Sequence, residues 1–109
     1  MTIKMNLWQK PFDSISSGRK TVEMRLNDEK RQGIKFGDMI EFISPEGEIL
    51  SVGVKAVRRF KSFEELYACY PLEALGYGDG ESGLPRDMLD YYSEEEINKY
   101  GVVAIELKL

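Results

Sequence analysis

Hydrophobic and polar residues alternate in four short segments of this chain, and that period of two most constrains the fold. Successive side chains of a strand point to opposite faces, so each segment can lay one apolar row on a core. Ile3, Met5 and Leu7 form the row in residues 2–8, and Val22, Met24 and Leu26 form it in 20–26. Residues 38–43 make a third strand. In residues 49–57, Leu50, Val52, Val54 and Ala56 alternate with Ser51, Gly53 and Lys55. In 102–109, Val103, Ile105 and Leu107 alternate with Ala104, Glu106 and Lys108. Gly53 inside the fourth strand marks a bulge or bend.

Short helical signals separate these strands. Pro11 suits a first helical turn, Phe12 and Ile15 fall on one side, and Gly18 suits the C-terminal cap. Ser62-Phe63-Glu64-Glu65 and Ser93-Glu94-Glu95-Glu96 each have the serine and glutamate spacing of a capping box. Residues 86–92 suggest a helical turn, Pro45–Glu48 a tight turn, and the four glycines of 76–84 a mobile loop. The 109 residues therefore predict one α+β domain, 1–109, with five to six mainly antiparallel strands curled into a small β-barrel. Val22, Met24, Leu50, Val52, Val54, Ile105 and Leu107 are expected in a single core.

Composition narrows the chemistry. There is no histidine, which removes Ser–His and Cys–His nucleophile pairs and most zinc-site patterns. The single cysteine, Cys69, lies in the apolar run Leu66–Tyr70 and suggests packing. No metal or cofactor is implied. No apolar run is long enough to span a bilayer, and the opening Met1-Thr2-Ile3-Lys4 lacks a signal-peptide core, so a cytoplasmic location is expected. The net charge of −4 divides into +3 over residues 1–60 and −7 over 61–109. That balance argues against indiscriminate nucleic-acid binding but leaves room for a local basic groove.

Within the first half, Gly18-Arg19-Lys20-Thr21-Val22-Glu23-Met24-Arg25 concentrates the ionisable groups. Glu23 and Arg25 fall on the face opposite Val22 and Met24. Strict alternation would put Lys20 with Val22, so the three converge only if Lys20 precedes the strand proper. A solvated strand face with an ordinary ion pair is the plainer interpretation of the same spacing.

The stretch from Trp8 to Arg25 resembles the start of ASCH domains, PUA-like β-barrels in which a helix is followed by Gly-x-Lys-x-x-Glu-x-Arg. Gly18, Lys20, Glu23 and Arg25 occupy those four positions. Phe36-Gly37-Asp38 and Tyr100-Gly101-Val102 are similar to later family features, so the resemblance runs from about Met5 to Leu107. It implies an RNA or nucleoside/nucleotide ligand in a polar cleft around Lys20, Glu23 and Arg25, with Trp8, Lys10, Arg19 and Thr21 beside it. Some small bacterial members are amidohydrolases that deacylate N4-acetylcytidine with a lysine, a threonine and a glutamate. By that resemblance Lys20 is the base, Glu23 stands where the threonine would be, and Glu73 is the nearest candidate glutamate. A third expectation is a regulatory module for a protein or small metabolite. Trp8 suits either a stacking platform or the core. Tyr77, Tyr91, Tyr92 and Tyr100 suggest a lid, and Lys55, Arg58 and Arg59 a basic rim.

Overall fold

In the computed structural model, which describes residues 1–109, the five expected strands become β1 (Thr2–Asn6), β2 (Val22–Leu26), β3 (Met39–Ile43), β4 (Ile49–Phe60) and β5 (Val102–Lys108). They form one sheet in the order β1-β3-β4-β5-β2, antiparallel except for the β1/β3 pair. The sheet curls into a half-barrel of the PUA-like type. The edge strands β1 and β2 are joined in sequence by helix α1 (Gln9–Ser16), which buries Phe12 and Ile15. No helix is long and apolar enough to cross a membrane.

Both faces of the sheet are covered, which corrects the expectation of a single core. One cluster holds Met5, Phe42, Val52, Val54, Ile105 and Leu107 with Phe12 and Ile15 of α1, and Leu50 packs against it. Val22 and Met24 belong to a second cluster with Phe63, Leu66, Val102 and Ala104. The strand register explains the division. Met24 lies opposite Ala104 and Glu23 opposite Ile105. Directly paired residues share a face, so Met24 joins the second cluster while Glu23 and Arg25 turn toward the first.

β4 runs three residues past the expected Val57, to Phe60. Its irregularity falls between Val54 and Ala56, not at Gly53, which stays in register with Lys108 and Met39. The extra residue, Lys55, resets the alternation. Val57 thereby lies opposite Ile105 and packs on the first cluster, while Phe60 packs on the second.

The segment between β4 and β5 supplies that second layer. Helix α2 (Phe63–Tyr67) starts where Ser62 Oγ accepts from Glu65 N at 3.2 Å; the Glu65 carboxylate accepts from Lys61 N rather than Ser62 N. Helix α3 (Glu94–Tyr100) has the reciprocal box, Glu96 N to Ser93 Oγ and Ser93 N to Glu96 Oε1, each 3.1 Å. A 3₁₀ turn over Pro85–Asp90 lies between them. Gly101, at φ 73°, ends α3 where an added Cβ would lie 2.8 Å from Phe60 O. Only glycine fits there.

Candidate functional site

The site begins where α1 ends. Ser17 caps the helix, Gly18 takes φ 81°, and Ser14 O accepts from both Arg19 N at 2.9 Å and Lys20 N at 3.0 Å. Thr21 N and Val22 N then both donate to Ala74 O. The backbone is thus still turning at Lys20 and the strand starts at Val22. Freed from strand alternation, Lys20 reaches Glu23, with Nζ 2.8 Å from Oε1. Arg25 Nε and NH2 converge on Glu23 Oε2 at 3.0 and 2.9 Å, and NH2 also donates to Asn6 O at 2.8 Å. Arg25 thereby ties β2 to the end of β1 across the open side of the half-barrel.

This arrangement is no solvated strand face. The side chains of Lys20, Glu23 and Arg25 are only 10, 4 and 14 % exposed. Burial alone pushes the Glu23 carboxyl up, but the charges and hydrogen bonds of Lys20 and Arg25 outweigh it and hold the group below the usual carboxylate range. Glu23 is therefore an acceptor whose two oxygens are already engaged, with Met24 N also 3.3 Å from Oε1.

Above these ions opens a cleft of about 820 Å³, a size suited to a small organic ligand. Trp8, Lys10 and Ser14 form one side, Ile43 to Gly47 another, and residues from Leu75 to Tyr92 the third. Trp8 is 70 % exposed, which places it at the mouth and not in the core. The loop over 76–84 is fastened: Gly78 N donates to Glu81 Oε1, and Glu81 Oε2 pairs with Lys10 at 3.5 Å. Three cations (Lys10, Lys20, Arg25) and four carboxylates (Glu23, Glu81, Asp87, Asp90) line the cleft, so it is not a basic groove. No group of three or more carboxylate or cysteine side chains is placed to hold a metal ion.

Of the residues singled out from sequence, Trp8, Lys10, Lys20, Glu23 and Arg25 line the cleft together. Three do not. Arg19 is exposed and donates to Ser17 Oγ at 3.0 Å, Thr21 extends the sheet through Leu107 N, and Glu73 is exposed outside the cleft. Tyr77, Tyr91 and Tyr92 line it, whereas Tyr100 does not. Arg58 packs over Phe60 and Tyr70 at 5.4 and 5.5 Å, and Arg59 binds the carbonyls of Gln32 and Ile34. Neither these arginines nor Lys55 forms a rim. Asp87 and Asp90 carry no sequence motif; only the 3₁₀ turn brings them to the site.

Gly76 supports Lys20 from behind. Its φ is 107°, and an added Cβ would lie 3.0 Å from Lys20 Cδ. Gly76→Ala should lower stability by about 1–3 kcal/mol, since the backbone strain is unavoidable and the lysine stem must shift. Denaturant melts check this; a change within error would mean the turn adapts freely.

The model of the ASCH domain matches residues 5–109. The hypothetical protein PH0355, known from its crystal structure, is 37% identical with a TM-score of 0.85, covering 99% of this chain and 98% of its own. Protein PF0455 from Pyrococcus furiosus, solved by NMR, is 38% identical with a TM-score of 0.75, covering 99% of this chain and 96% of its own. The crystal structure of ASCH from Zymomonas mobilis shares the fold at 17% identity and a TM-score of 0.67, covering 99% of this chain and 67% of its own. No curated protein matches the sequence. With the Gly18, Lys20, Glu23 and Arg25 signature assembled at one cleft, the chain belongs to the ASCH domain family.

Proposed function

We propose that the cleft binds a single nucleotide unit, either free or as an unpaired residue of RNA. The observation that carries this reading is an exposed tryptophan at the mouth of a cleft floored by buried, oriented donors. Bases stack on aromatic faces regardless of sequence, so Trp8 offers a platform. Lys20 has three donors and Arg25 five; those not spent on Glu23 and Asn6 face base or sugar acceptors. Glu23 acts by holding both cations in place.

The mixed charge of the lining favours one unit over a long polyanion. Affinity should accordingly fall only weakly with salt. Hydrolysis of an acylated nucleoside needs a lysine able to take a proton and a polar partner beside it. Lys20 Nζ is engaged by the Glu23 carboxylate at 2.8 Å, and Glu73 lies outside the cleft, so the geometry favours binding over turnover.

Trp8 is the only tryptophan and reports directly on the site. Titration with nucleosides, nucleotides and short unstructured ribo-oligonucleotides should change its fluorescence saturably. Trp8→Ala, followed by calorimetry, should weaken binding by about 1–3 kcal/mol. If none of these ligands gives saturable binding by either method, the reading is wrong.

A further inference from the structure

Four carboxylates line the cleft, and they differ in what each has left to offer. Glu23 has both oxygens taken by Lys20 and Arg25. Glu81 is occupied by Gly78 N through one oxygen and Lys10 through the other. Asp90 is exposed, and no hydrogen bond orients its side chain. Asp87 alone is both fixed and open. Its Oδ2 accepts from Tyr77 OH at 2.8 Å and from Leu84 N at 3.0 Å, while Oδ1 has no partner in the protein.

The support behind Asp87 reaches into the second core. Tyr67 OH lies 2.8 Å from Tyr77 OH, and the neighbouring Met88 is buried among Phe63, Leu66 and Leu75. Burial, together with the bonds to Tyr67 and Asp87, raises the Tyr77 hydroxyl, so it keeps its proton and stays a donor. The Leu84 N–H and the Tyr77 hydroxyl hold the Asp87 carboxyl below its usual range, so the group is an acceptor only.

We propose that Asp87 determines specificity in this cleft, its open Oδ1 accepting a hydrogen bond from an exocyclic amino group of the bound base. The proposal rests on the nucleotide reading above and narrows it to bases that carry such a group. A site built around a fixed acceptor rejects a ligand lacking the donor, because the acceptor is then left unpaired. It rejects a carbonyl at the same position more strongly, since two acceptors would face each other.

Binding of cytidine, of its 4-deamino analogue pyrimidin-2-one riboside, and of uridine tests this. The parent chain should bind cytidine roughly tenfold or more tighter than either of the others. Asp87→Asn should reverse the order of cytidine and uridine. Leu84 N and Tyr77 OH both donate, so they select the amide oxygen and turn the amide NH2 into the cleft. Tyr77→Phe, which removes one of the two donors, should shrink the cytidine preference, and it serves as the test if the Asn variant fails to fold by circular dichroism. A merely structural Asp87 would lower the melting temperature of these variants and leave the ligand ranking unchanged. Equal binding of cytidine and its deamino analogue by the parent, or a ranking unchanged in the variants, overturns the proposal and leaves the nucleotide reading standing. Failure of every nucleoside and nucleotide to bind overturns both.

Discussion

Glu23→Gln is expected to destabilise the fold by about 3–5 kcal/mol, far more than loss of one surface ion pair. The substitution keeps the shape but removes the only charge that compensates Lys20 and Arg25. Those two side chains are 10 and 14 % exposed, so water replaces little of what is lost. Arg25 would keep its bond to Asn6 O, and Lys20 would have no anion. Urea or guanidinium melts at neutral pH measure the effect as a lower midpoint with an unchanged slope. A loss below about 1 kcal/mol would mean that the ions are hydrated in solution. Joint replacement of all three ions by apolar residues of similar size should recover part of the stability while destroying the site.

Acid should act on the parent in the same direction. The folded Glu23 carboxyl lies below its unfolded value, so its contribution is complete above the unfolded pKa of about 4.3 and is lost as pH falls through the lower folded value. The Gln variant lacks that part of the acid dependence.

Local rules made much of this legible from sequence. Gly18 as a helix stop, the serine that starts α2 and the full capping box of α3 depend on neighbours a few residues away, and each forms. The position of Lys20 followed from where the strand begins, which Ser14 O and Ala74 O decide by taking the backbone donors of residues 19–22. What escaped needed the sheet order. β2 pairs with β5, eighty residues away in the chain, and only that register shows that Glu23 faces Ile105 while Met24 faces Ala104. Alternation alone marks one face of a strand as apolar; it cannot reveal that a second layer covers the other. β5 shows why: Val102 and Ala104 occupy the face that Glu106 and Lys108 make look polar. Asp87 was invisible for a similar reason, because its role arises from a tyrosine ten residues earlier and a turn that carries no charge pattern.

The two-sided packing predicts that Phe42→Ala and Leu66→Ala will each be severe and will act independently. Both side chains are fully buried, one in each cluster. Removing Phe42 should cost about 3–5 kcal/mol and removing Leu66 about 2–5, the spread depending on how far each cavity collapses. Because the sheet separates the clusters and they share no side chain, the double variant should equal the sum to within about 0.5 kcal/mol. Strong coupling would mean that the sheet transmits repacking from one face to the other, and a cost under about 1 kcal/mol for Leu66 would make the second layer peripheral. Function adds a second readout. Met24, Leu75 and Met88 belong to the Leu66 cluster and also line the cleft, and Met88 anchors the turn that carries Asp87. At a temperature where both single variants remain folded, Leu66→Ala should therefore weaken nucleoside binding more than Phe42→Ala does. Equal affinities in the two would separate the second core from the site it is argued to support.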